Sequence, residues 1–180
     1  HLEMLEEPDV IGAHVQAFMP NSKFATPIDQ VVRGLSGLAK LKMKQGTVDE
    51  IMKHAPLEAL YKLMTTSKDN NVLTAAAKLL GKLSYNDEVT DKLCTFASVR
   101  ELIDALRLHL DQVEFLRYGV YLLGNLAIKP ELKEAIGVEG GVLLILQAVQ
   151  KHRKETALVQ NCLYSLAALT PVYIHSVMRI

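Results

Sequence analysis

The pattern Leu-small-x-Leu occurs four times in this chain: Leu38-Ala39-Lys40-Leu41, Leu80-Gly81-Lys82-Leu83, Leu123-Gly124-Asn125-Leu126 and Leu166-Ala167-Ala168-Leu169. The leading leucines are 42, 43 and 43 residues apart. A recurrence at this interval constrains the fold more than any single motif. A unit of roughly 40 residues cannot bury its own apolar face and has to lean on its neighbours.

Each motif closes a longer stripe. Val31, Gly34, Leu35, Leu38; Leu73, Ala76, Ala77, Leu80; Leu116, Gly119, Val120, Leu123; and Val159, Cys162, Leu163, Leu166 all follow the i, i+3, i+4, i+7 spacing of one helix face. The second member is always small, which lets a neighbouring helix come close. A second helix precedes each of the last three of these long ones, with expected core positions Leu57, Leu60, Tyr61, Met64, then Val99, Leu102, Ile103, Leu106, then Val142, Ile145, Leu146, Val149. Ile51, Leu93 and Ile136 mark a shorter segment upstream, so each unit reads as short helix, helix, long helix.

Punctuation agrees. Gly46-Thr47-Val48-Asp49-Glu50 reads as a helix end followed by a capping box, 67–71 and 151–155 are polar turns, and Pro130 and Pro171 each follow a long helix at a point where it should stop. No alternating strand pattern appears, so the expected class is all-α.

Three helices per unit resembles the armadillo repeat. The resemblance is sharpest at Ala135-Ile136-Gly137-Val138-Glu139-Gly140-Gly141-Val142-Leu143-Leu144, similar to the family's junction between first and second helices, and at Leu122-Leu123-Gly124-Asn125-Leu126-Ala127, similar to its third-helix signature. The upstream segment and the glycine corner favour armadillo over the two-helix HEAT type. The implied architecture is a right-handed α-solenoid of about four repeats, the first and last degenerate. We expect a single domain: a cap or partial repeat at 1–26, the long helix of a first repeat at 27–46, repeats at 47–87, 88–129 and 130–170, and a further helix or cap beginning at 171–180.

Composition narrows the function. The chain's 180 residues include 20 basic and 20 acidic side chains, a net charge of zero. Sequence-independent nucleic-acid binding needs a basic surface to displace phosphate counterions, so nucleic acid is not the expected partner. No apolar run reaches the roughly 20 residues of a membrane span, and no signal-peptide pattern opens the chain. His1-Leu2-Glu3-Met4 reads as a cloning remnant, with any targeting signal lying elsewhere. Two cysteines that form no framework, Cys94 and Cys162, fit a reducing compartment such as the cytoplasm.

Enzyme signatures are missing. No P-loop, nucleophile elbow or His-Glu-x-x-His occurs. His109 and His152 occupy one repeat position at the end of the second helix, where the helix dipole favours a protonatable ring without any ligand role. Neither thiol has a base in a local motif. No catalytic activity, metal or cofactor is expected.

The resemblance also implies that the long helices line a concave groove. Its floor would be Lys78 and Lys82 in one unit, Arg117, Tyr121 and Asn125 in the next, and Gln160, Tyr164 and Ala168 in the last, with Lys40 at the equivalent place upstream. In several armadillo proteins an Asn at the position of Asn125 holds the backbone of an extended peptide, beside a Trp one turn earlier. Here Tyr121 replaces that Trp, Lys82 and Ala168 replace the neighbouring Asn residues, and the chain has no Trp, which argues against recognition of basic localisation signals. Lys40, Lys78, Lys82 and Arg117 point to acidic peptide segments, although they also fit a solvated face with no ligand. The expected role is a non-catalytic scaffold or adaptor that binds an extended acidic peptide. The alternative is a regulatory or assembly segment acting through its ends, where the apolar 171–180 stretch invites self-association; a small-molecule regulator is the third option.

Overall fold

A computed structural model describes residues 8–16 and 27–177, with side chains for 10–16 and 27–170. All eleven elements among the described residues are α-helices: α1 Pro8–Gln16, α2 Ile28–Leu38, α3 Gln45–His54, α4 Leu57–Thr66, α5 Asn70–Leu83, α6 Asp87–Cys94, α7 Val99–Leu108, α8 Val113–Leu126, α9 Pro130–Val138, α10 Gly141–Lys151 and α11 Thr156–Val177. Three successive triplets, α3–α5, α6–α8 and α9–α11, each place two shorter helices before a longer one. The chain divides into two compact units, one up to Asn86 and one from Asp87.

In the first unit, α2 packs on α5, α5 on α4, and α1 lies over α2 and α3. Ile11 and Val15 of α1 are fully buried, and Pro8, whose fixed φ suits a first turn, opens that helix. The rest of the cap or partial repeat expected at 1–26, residues 1–7 and 17–26, lies outside the described residues. Ile51, Leu60, Met64, Leu73, Ala76, Ala77 and Leu80 are all at most 1% exposed, so the stripes read from the sequence form this core. Asp69 caps α5 through its carboxylate, which accepts from the amides of Asn71 at 2.9 Å and Val72 at 3.0 Å.

Three local expectations fail. The helix expected over 27–46 ends at Leu38, where Lys40 and Leu41 turn back with i→i+3 hydrogen bonds to Gly37 and Leu38. Gly46 and Thr47 are not a helix end and cap but the second and third residues of α3, with Thr47 buried beside Val48 and Ile51. Glu50 does not close a capping box; its carboxylate meets Lys53 and His54. The apolar spacing that starts at Val48 decides the helix here, outweighing the local turn chemistry.

In the second unit α8 is the central helix, flanked most extensively by α11. Phe115, Leu116, Val120, Leu122, Leu123 and Leu126 are buried, and the Phe115 ring stands edge-on to His109 at 5.6 Å. His109 and His152 are the C-caps of α7 and α10. His152 Nε2 donates to the Leu110 carbonyl at 2.8 Å. Gly140, the only described residue at positive φ (81°), makes the corner between α9 and α10. Arg100 and Arg107 of α7 hold that corner through the Glu139 carboxylate and carbonyl.

Register corrections fall in the last triplet. The buried set of α10 is Gly141, Leu144, Ile145 and Ala148, whereas Val142 and Val149 are half-buried and Leu146 is exposed. The step from Val99 is therefore 42 residues, to Gly141, rather than 43, to Val142. A continuous run of five apolar residues, 142–146, left the register open to a one-residue slip. In α11 the buried row is Leu158, Cys162, Ser165 and Leu169, with Val159 and Leu166 half-buried and Leu163 exposed. Nor does Pro171 stop the helix: α11 runs through it to Val177, so 171–177 continues α11 rather than starting a new element.

Cys162 sits fully buried in that row, and burial pushes its thiol up to about 11. Cys94 is half-buried and also raised, burial being the main cause. A thiol that stays protonated at neutral pH is a poor nucleophile. Alkylation of the native protein followed by mass spectrometry should therefore leave Cys162 unmodified until denaturant is added. The same shift makes its contribution to stability fall as pH rises from the ordinary 9.0 through about 11.

Candidate functional site

The residues expected to face a ligand fall on α5 in the first unit and on α8 and α11 in the second. On α5, Lys78 and Lys82 are both half-buried, one turn apart. Lys82 Nζ donates to the Ala39 carbonyl at 2.7 Å. Ala39 is the C-cap of α2, so Lys82 brings a cation to one of the helix-end carbonyls that lack an intrahelical donor. Burial, then the nearby Lys78 charge, holds the Lys82 ammonium below its ordinary value. Lys82 thus joins α2 to α5 as well as adding positive charge. Lys40 is exposed, and α5 contains no acidic side chain.

In the second unit, spacing places Arg117, Tyr121 and Asn125 along one line of α8, and Gln160, Tyr164 and Ala168 along α11. The structure brings the middle members together: the Tyr121 and Tyr164 rings lie 5.3 Å apart, tilted 36°. Tyr164 is 40% exposed and Gln160 is exposed. Asn125 is only 2% exposed, and its Oδ1 accepts from the Tyr164 hydroxyl at 2.7 Å. The amide that the resemblance assigns to a peptide backbone is here engaged with Tyr164. Its visible work is to fix one ring of the tyrosine pair.

Arg117 donates through Nη2 to Glu114 at 2.8 Å and to the Tyr118 hydroxyl at 2.6 Å, and its guanidinium lies 4.5 Å over the Tyr118 ring. Its charge is therefore met within α8. Its Nε is buried with no hydrogen-bond partner.

Two residues that the sequence reading did not single out hold the α8–α11 pair in place. Asn161 Nδ2 donates to the Arg117 carbonyl at 2.8 Å, and the Ser165 hydroxyl donates to the Val120 carbonyl at 2.7 Å. Ser165 is fully buried in a row that is otherwise apolar, and a polar residue there was the available signal. Gly124, the small member of the third motif, shows why the motif needs one: a Cβ at this position would lie 2.6 Å from Ser165 Oγ and 2.8 Å from the Tyr164 ring. Among the described residues no group of three or more His, Cys, Asp or Glu converges as metal ligands would, and no helix is long and apolar enough to cross a membrane.

No protein-family model matches the sequence, and no curated protein matches it. Solved structures do match. A computationally designed armadillo repeat protein for modular peptide recognition is 18% identical with a TM-score of 0.69, over 94% of this chain and 68% of that one. A designed armadillo repeat protein in complex with the peptide (KR)4 is 19% identical with a TM-score of 0.67, over 94% and 68%. An engineered protein from a structural genomics consortium is 19% identical with a TM-score of 0.71 over 94% of this chain. The chain spans 66% of that engineered protein's length and 39% of a second one's. At these identities the likeness defines the fold, and the chain has an armadillo-like, all-α repeat fold.

Proposed function

We propose that this chain is a non-catalytic protein-interaction module, a scaffold or adaptor whose long helices bind an extended peptide segment. The observation that carries this reading is the Tyr121–Tyr164 pair, two partly exposed rings braced from below by a buried amide. Rigid aromatic surface of this kind adds contact area at little entropic cost. Gln160, which can donate and accept together, stands one turn away on α11 to meet peptide bonds.

The peptide is acidic. Lys78 and Lys82 give α5 two cations with no carboxylate on the same helix, which supports that sign. The designed neighbour solved with (KR)4 carries a basic peptide; the charge on α5 is opposite to what such a ligand needs. Arg117 adds charge once Glu114 is displaced. The free cysteines suit a reducing, cytoplasmic setting.

Titrating the chain with a labelled Glu/Asp-rich peptide and its Lys/Arg counterpart tests this. The acidic peptide should bind and the basic one should not. Lys78→Glu should weaken binding several-fold at low salt, mainly through association rate, and the difference should shrink as salt passes physiological levels, where screening acts over about 8 Å. Tyr164→Ala should raise the dissociation rate at any salt. Equal binding of both peptides, or affinity indifferent to both substitutions, would remove these faces from the site. Lys82→Met, which gives up the Ala39 contact, reports the structural share of that lysine through the melting temperature. A second reading, assembly through an end of the repeats, is favoured by the 58% exposure of Leu163 on α11.

A further inference from the structure

Among the described residues, the single buried side-chain nitrogen or oxygen without a hydrogen-bond partner is Arg117 Nε. A buried donor left unmet carries the cost of its removal from water, which makes such groups rare unless something outside the chain completes them. The Arg117 side chain as a whole is 25% exposed, so this donor lies just beneath the surface. The partners that Arg117 does have sit on Nη2, which donates to Glu114 Oε2 at 2.8 Å and to the Tyr118 hydroxyl at 2.6 Å. Glu114 is exposed, three residues earlier on the same helix, and it leaves Nε unmet. Tyr121 follows Arg117 by one helical turn, a spacing that makes neighbours of two side chains at about 5–6 Å between Cβ atoms. Its ring is the one that pairs with Tyr164 at 5.3 Å. The second unit thus sets a forked cation, covered by an exposed carboxylate of its own helix, beside an aromatic platform.

We propose that Arg117 receives the phosphate of a phosphotyrosine in the bound peptide, with the phenyl ring of that residue on the Tyr121–Tyr164 pair. The proposal rests on the peptide-binding reading above and names the side chain that this part of the site selects. An incoming Asp or Glu would only exchange one carboxylate for another, and Glu114 competes from the same helix at high effective concentration. A phosphate brings a charge of about −1.5 to −2 and three acceptor oxygens, so it replaces Glu114 on Nη2 and meets Nε as well. Burial of Nε then decides what carries the phosphate. A donor beneath the surface has to be reached by an anion on a long stem. Phosphoserine keeps its phosphate close to the peptide backbone, whereas tyrosine holds it a ring's length away. With the phosphate on Arg117, that ring falls one turn along α8, where an offset or edge-on contact with the two tyrosines adds to the binding.

Fluorescence anisotropy on the full 180-residue chain tests the proposal with four labelled acidic peptides that differ at one position, which is Tyr, phosphotyrosine, phosphoserine or Glu. The phosphotyrosine peptide should bind roughly tenfold tighter than the Tyr and Glu forms and several-fold tighter than the phosphoserine form. Arg117→Lys keeps the charge but lacks the Nε donor and the fork, and it should erase most of the gain from phosphorylation with helix content unchanged by circular dichroism. Glu114→Gln removes the internal competitor and should tighten the phosphotyrosine peptide several-fold. If Arg117→Lys loses helix content, Glu114→Gln carries the test alone. Equal affinity for the Tyr and phosphotyrosine peptides overturns the proposal, as does a phosphorylation gain that Arg117→Lys retains or that Glu114→Gln fails to raise. Equal affinity for phosphoserine and phosphotyrosine overturns the assignment to tyrosine. The two readings fail separately: an acidic peptide that binds without any gain from phosphorylation removes this proposal only, and a phosphotyrosine peptide that binds while its unmodified acidic form does not removes only the acidic-peptide reading.

Discussion

Gly141→Val should destabilise the protein by about 3 kcal/mol, the upper end of the usual cost of overpacking, and lower the melting temperature by roughly 6–12 °C. A Cβ at residue 141 would lie 2.4 Å from Ile136 Cγ2 and 2.8 Å from the Ile136 carbonyl oxygen. Ile136 is fully buried, so its side chain has nowhere to retreat. The carbonyl belongs to α9 and moves only with that helix. Ile103 closes the third side, with its Cδ1 at 3.4 Å. The control is Gly46→Ala, a helical glycine with nothing within 4 Å, which should be neutral or stabilising by up to about 1 kcal/mol. Thermal melts of both variants check the pair. An unchanged melting temperature for Gly141→Val would show that α9 and α10 do not meet as described.

Phe115→Ala should cost about 3–5 kcal/mol, the range for emptying a buried aromatic site. Phe115 is 1% exposed and the bulkiest fully buried side chain among the described residues. It lies on α8, where the neighbouring Leu116 and Gly119 are also buried. Its edge contact with His109 ties α8 back to the end of α7. Urea unfolding followed by circular dichroism would show the loss as a lower midpoint. A cost below about 1 kcal/mol would mean that the cavity collapses or that residue 115 is not packed.

The core of both units was largely legible in the sequence because burial there follows helix periodicity. Leu73, Ala76, Ala77 and Leu80 were assigned to a stripe by spacing alone and are buried as a stripe. The reading failed where two registers were equally apolar. In 142–146 a shift of one residue still lands on leucine, isoleucine or valine, and only the fit of Gly141 against Ile136 selects between them. It failed again at Gly46-Thr47, where turn-forming residues sit inside α3 because Val48 and Ile51 bury that helix's apolar face. Local propensity is worth tenths of a kcal/mol per residue, whereas burying one Val or Ile side chain is worth about 1.5–3.

The candidate site divides along the same line. Position in the repeat placed Tyr121 and Asn125 on one long helix, α8, and Tyr164 on the next long helix, α11. It could not show that the Tyr164 hydroxyl would reach Asn125, or that Lys82 would extend to the end of α2, because both contacts join residues about 40 positions apart. Nor did spacing reveal that Leu163 stays exposed while its counterpart Val120 is buried. The amino-acid sequence by itself determined the helices, the interval at which they recur and most of the residues they bury, because each depends on side-chain spacing along a single helix. Only the tertiary structure decided which face of each helix is covered and which polar groups are already engaged, because those depend on how closely a second helix approaches and on what it carries at the point of contact.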